Sequence, residues 1–182
     1  MRGDALDALI DSYHDDRHAA DADILKICRA QSVLMDPDPR VADLVEIVTR
    51  LVGFDDANHY LSMTMSGLDV RYPMPGAHPL LGRRVPDADI ITRGAGRRVF
   101  ELLRVARPVL LEMSGRSDLS GAAAGWAERV DIVQADCPSQ VWEVPGAGTI
   151  STPAALLIRS DGHVAWASDR DLDLAVSDLI IW

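Results

Sequence analysis

The sequence is poor in the groups that most small catalytic or binding modules rely on. It has 182 residues but only two cysteines, Cys28 and Cys137, and neither lies in a CxxC. Dithiol redox chemistry and a cysteine-rich zinc site are therefore excluded, and two free thiols are expected. Lysine is almost absent: Lys26 is the only one, and the remaining basic residues are arginines. The net charge is −10. That excludes a phosphate-backbone binder, which needs clustered cations, and an anionic-membrane binder for the same reason. No apolar stretch reaches the ~18–20 residues of a membrane span. The acidic N-terminus, MRGDALDALIDSYHDD, has no apolar signal core, so a cytoplasmic protein is expected. No GxGxxG occurs, so the tight turn that seats a dinucleotide pyrophosphate is missing. Gly3-Asp4-Ala5 reads as an accident of composition.

What is present is enough apolar residue, 48% of the chain, to build a core. Residues 4–35 predict a helix, with Leu6, Leu9, Ile10 and Tyr13 at helical spacing and a break near His18. Asp38 is a predicted N-cap and Pro39 a first-turn proline for a second helix, whose apolar face is Val41, Leu44, Val45, Val48, Leu51 and Val52. Gly53 is its expected C′ residue. A third helix runs from about Asp56 to Ser66 and ends at Gly67. Pro73, Pro75, Pro79, Pro86, Gly76 and Gly82 then mark residues 67–92 as a structured linker.

Beyond it the pattern is α/β. A short helix is expected over Arg97–Val105, a strand over Arg107–Met113, a helix over Leu119–Glu128 and a strand over Val130–Ala135. An apolar run, Ala154–Ile158, a Ser160-Asp161-Gly162 turn and a second strand around Trp166 form a hairpin. A helix over Asp171–Ile181 closes the domain. This order resembles a thioredoxin-like fold. The expected organisation is a helical extension (1–66), the linker (67–92) and a thioredoxin-like domain (93–182).

Several motifs resemble one family. Ser151–Ser168 (STPAALLIRSDGHVAWAS), Ser66–Pro73 (SGLDVRYP), His78–Asp87 (HPLLGRRVPD) and Asp11–His18 are similar, in this order, to the C-terminal region of FAD-dependent aromatic and polyketide hydroxylases, the class A flavoprotein monooxygenases. The resemblance implies the end of a flavin domain followed by a thioredoxin-like domain. In that family the flavin carries the hydroxylation chemistry, and FAD is the cofactor of the full-length proteins. With no nucleotide-binding motif, no cofactor is expected in this chain alone, and a role as a non-catalytic, interaction or split-subunit domain follows. A component of a polyketide hydroxylase and a binder of aromatic small molecules are the alternatives. A homodimer or a flavin-domain partner is expected to cover the helices.

No catalytic residue, cofactor ligand or metal site is assigned. In a thioredoxin the CxxC would follow the strand at Arg107–Met113. Here that place reads Ser114-Gly115-Arg116-Ser117, without a thiol. Cys137 reads as a small apolar residue. Pro153 stands at the thioredoxin cis-proline position, and the sequence leaves its isomer open, since only about 5–6% of X–Pro bonds are cis. His14 and His18 have metal-ligand spacing but no evident third ligand, and read as a polar cluster. Glu101, Glu112 and Glu128 are too scattered to pair. Asp69, Arg71 and Tyr72 are the candidate substrate or interdomain contacts: Arg71 is expected to pair with Asp69 or Asp87 and pin the loop, or to meet an acidic or phenolic ligand.

Overall fold

A computed structural model describes residues 7–115 and 124–169. It divides into two compact units, residues 1–70 and 71–182. The expected helix at Asp171–Ile181, the first half of that at Leu119–Glu128, Trp182, Gly3–Ala5 and Ser117 lie outside the described residues.

The first unit is three helices: α1 (Asp7–Leu34), α2 (Pro39–Val52) and α3 (Asp55–Ser66). α1 runs through His18 without a break. Asp38 caps α2 as its side chain accepts from the Arg40 amide at 2.8 Å, with Pro39 in the first turn. Gly67 ends α3 in the left-handed conformation, φ 69°. Gly53 differs from expectation: its φ is −69°, because Phe54 immediately starts the entry to α3 and leaves no room for a left-handed cap. α2 packs against both other helices, yet has no fully buried residue.

The second unit holds the core. β1 (Asp89–Thr92) and β2 (Ala95–Arg98) form a hairpin, followed by a one-turn helix, α4 (Val99–Leu102), and a 3₁₀ turn, Leu103–Val105. Then come β3 (Val109–Glu112), β4 (Asp131–Gln134), β5 (Val141–Val144), β6 (Gly148–Ser151), β7 (Ala155–Ile158) and β8 (Val164–Ser168). The main sheet has the order β4-β3-β7-β8, with β3 parallel to β4 and antiparallel to β7. β5 and β6 form a separate hairpin. β3 and β7 are buried along their whole length, as their unbroken apolar runs require of central strands. Leu111, Leu156, Ile158, Val109 and Val164 form one layer of core with Trp142, and Leu110 and Leu157 the other with Trp126 and Trp166.

Three expectations need correction. The proline-rich segment is no linker from residue 71 onward: Tyr72, Leu80, Leu81, Val85 and Ile90 are core residues of the second unit. Prolines stop regular hydrogen bonding without preventing burial. The helix expected from Arg97 begins only at Val99, because the Arg93-Gly94 turn pairs Arg97 and Arg98 into β2. Ala124–Trp126 is a 3₁₀ turn, not the end of a long helix. The hairpins β1–β2 and β5–β6 had no expectation at all.

Candidate functional site

The most convergent group of side chains gathers where the HPLLGRRVP segment meets the β7–β8 hairpin. The hairpin loop spans Arg159–His163, with the Gly162 amide donating to Arg159 O (2.9 Å) and the Arg159 amide to His163 O (2.8 Å). Only Gly162 has positive φ, 87°, so this is a type I turn closed by a glycine bulge, and Asp161 is not one of its left-handed positions. Residues 82–85 then run beside β8: the Gly82 amide donates to Val164 O, the Val164 amide to Arg83 O, and the Val85 amide to Gly162 O, each at 2.9 Å. This covers an edge that would otherwise be open.

Tyr72 is held in this frame by its amide, which donates to Gly82 O at 2.9 Å. Its buried ring lies 4.4 Å from the His163 ring, and the Arg159 guanidinium sits 5.2 Å from its centre. Asp161 completes the group. Arg159 Nη2 lies 3.2 Å from its carboxylate. His163 Nδ1 lies 3.3 Å away, at ion-pair distance but off the hydrogen-bond direction, while the His163 amide donates to it at 3.0 Å. Burial alone would raise the Asp161 pKa. Contact with the His163 ring and amide and the charge of Arg159 outweigh it and lower the carboxyl to about 2.

Of the expected contacts, Arg71 Nε donates to Leu81 O at 3.0 Å, which ties the loop to itself. Asp69 belongs to the helical unit, where it accepts from the Thr64 hydroxyl at 2.8 Å just past the end of α3. Neither forms the carboxylate pair expected with Arg71. Asp87 instead accepts from Arg98 Nε (3.0 Å) and from the Phe100 amide at the start of α4 (2.9 Å). His78 Nδ1 accepts from the Leu80 amide at 3.2 Å, which leaves the ring proton on Nε2, 3.1 Å from Asp169 Oδ1.

The remaining positions carry no chemistry between them. Cys137 is partly buried; Trp142 Nε1 donates to its sulfur at 3.4 Å. The Thr152–Pro153 bond is trans. His14 and His18 have ring centres 5.5 Å apart on exposed α1 positions, and among the described residues no three metal-ligating side chains cluster. Glu112, read from the sequence only as one of three scattered acids, is the one buried carboxylate among the described residues and accepts from Gln134 Nε2 (3.2 Å) and Ser114 Oγ (3.4 Å). Its signal was an acid closing the apolar run Val109–Leu111.

The group around Tyr72 is thus a clamp that fixes one segment to a hairpin. The same stretch decides the relationship. A family model described as the aromatic-ring hydroxylase C-terminal domain matches residues 78–179. The chain belongs to that family. It is 41% identical to the 12-dehydrotetracycline 5-monooxygenase/anhydrotetracycline 6-monooxygenase of Streptomyces rimosus subsp. rimosus, over 92% of this chain and 32% of that protein. It is 34% identical to a rifampicin monooxygenase of Streptomyces venezuelae, over 94% of this chain and 32% of the relative. The solved anhydrotetracycline hydroxylase of Streptomyces rimosus superposes with a TM-score of 0.84 at 39% identity, covering 99% of this chain and 36% of that one. The chain therefore spans about a third of the relatives it matches. A more distant structure, aklavinone-11 hydroxylase with FAD and aklavinone (22% identity, TM-score 0.59), shares the fold. No helix among the described residues is long and apolar enough to cross a membrane.

Proposed function

We propose that this chain is the non-catalytic C-terminal part of an FAD-dependent aromatic-ring monooxygenase, working with a flavin-binding portion that carries the chemistry. The observation behind this reading is the match itself. Nearly all of the chain aligns with monooxygenases, but with only a third of each, and its sequence has no dinucleotide fingerprint. The residues that converge on Tyr72 stabilise a fold and offer no site for the isoalloxazine or the pyrophosphate. In this reading the FAD stays on the other portion and supplies the oxygen-activating chemistry there. A polycyclic polyketide is the substrate class, by likeness to the tetracycline relatives.

The helical unit supports a docking role. Ile47, Leu51, Phe54 and Tyr60 are 57%, 51%, 65% and 66% exposed, more apolar surface than a lone helical layer usually shows to water. A flavin-domain partner would cover it, with a homodimer as the competing arrangement.

The test is to purify the chain, add FAD, remove the excess and record the visible spectrum. A colourless protein is expected. It is then mixed with the separately produced flavin-binding two thirds of the S. rimosus enzyme. Co-elution with the yellow fraction in size-exclusion chromatography supports the reading. Flavin retained by the chain alone would overturn it.

A further inference from the structure

The β1–β2 hairpin carries a second, unrelated feature. Its two-residue turn is Arg93-Gly94, with φ of 50° and 77°. A turn with positive φ at both central positions prefers Asn or Gly at the first. An arginine held there sits in a conformation that side chains rarely adopt, and such positions concentrate where a side chain has a task.

Arg93 borders a cavity of about 800 Å³ between this hairpin and the outer edge of β4. That volume falls in the range of small-molecule sites. Arg97, on β2, borders it too, and Leu102, Ile132 and Val133 supply apolar lining. Both arginines are exposed, and among the described residues neither guanidinium has a hydrogen bond or ion pair. The contrast within the same unit is clear: Arg98, Arg107 and Arg159 each hold a carboxylate. Among the described lining residues Asp136 is the one acid, so together they carry a net positive charge in a chain of net charge −10.

We propose that this cavity binds a small planar organic carboxylate. Arg93 and Arg97 grip the carboxylate, and Leu102, Ile132 and Val133 cover the apolar body. Guanidinium groups suit such a ligand twice, through paired N–H donors and through stacking on a flat ring. The inference is independent of any flavin-bearing partner.

Titration calorimetry of the whole chain tests it with 2-naphthoate and its uncharged analogue 2-naphthamide. Naphthoate should bind about tenfold or more tightly than the amide, the margin a charge-assisted hydrogen bond supplies. R93G and R97Q should each weaken naphthoate binding by about tenfold. R93G also relieves the positive φ, so lost binding at an unchanged or higher Tm cannot be put down to unfolding. No saturable heat from naphthoate up to about 5 mM, equal affinity for the two probes, or an R93G/R97Q double variant that binds like the parent would overturn the proposal.

Discussion

Gly82 passes so close to Tyr72 that a Cβ on the glycine would lie 1.9 Å from the Tyr72 carbonyl oxygen. Its φ is 73° as well, so a side chain there is opposed by both contact and backbone conformation. Gly82→Ala should destabilise the second unit by roughly 3 kcal/mol, through the combined clash and strain. Denaturant unfolding measures this; a loss below about 0.5 kcal/mol would show that the loop simply moves aside.

Asp161 makes stability depend on acid. Its carboxyl is lowered from 3.8 to about 2, so its contribution is complete above the unfolded value and lost as pH falls through the folded one. After allowance for solvent screening of a partly exposed group, the contribution is about 1 kcal/mol. Asp161→Asn should be less stable than the parent by that amount at neutral pH. The two curves should converge between about pH 4 and pH 2, as urea melts at stepped pH would reveal.

Leu111 is fully buried beside Leu156 in the central strands. Leu111→Ala should cost about 3 kcal/mol, from lost burial plus the cavity left behind. Thermal melts followed by near-ultraviolet dichroism of the aromatic side chains report the change.

Phe54 and Ile47 test the docking surface. Both are exposed, so Phe54→Ser with Ile47→Ser should leave the unfolding of the second unit within about 0.5 kcal/mol. The same pair of changes should abolish co-elution with the flavin-binding portion. Undiminished co-elution would place the contact elsewhere.

The legible part of this fold was the part set by local chemistry. Asp38 and Pro39 start α2, Gly67 ends α3, and the apolar runs at Val109–Leu111 and Ala155–Ile158 become central strands. What stayed hidden depends on distant partners. β1 and β2 have little apolar signal, since Ala95–Arg98 is wholly exposed and is held by pairing with Asp89–Thr92. The prolines between Tyr72 and Pro86 suggested a connector, but burial there comes from hydrogen bonds to β8, which no local pattern encodes. Asp69, Arg71 and Tyr72 stand together in the sequence as one candidate contact group. Their division between two units, with Tyr72 alone entering the clamp, follows from the position of Gly82 and the β7–β8 loop. Arg93 escaped notice because its distinction is a backbone angle.

The placement of β3 has a kinetic consequence. It pairs on one side with β4, the next strand but separated from it by residues 113–130, and on the other with β7, which follows only after β4, β5 and β6. Its ladder forms only after segments distant in sequence meet, whereas β7 and β8 are joined by a five-residue loop and need no such closure. The hairpin that holds Asp161 is thus the natural seed of the domain, and the buried strand at its centre is a late arrival. Pulsed hydrogen exchange during refolding would show amides of β7 and β8 protected before those of β4.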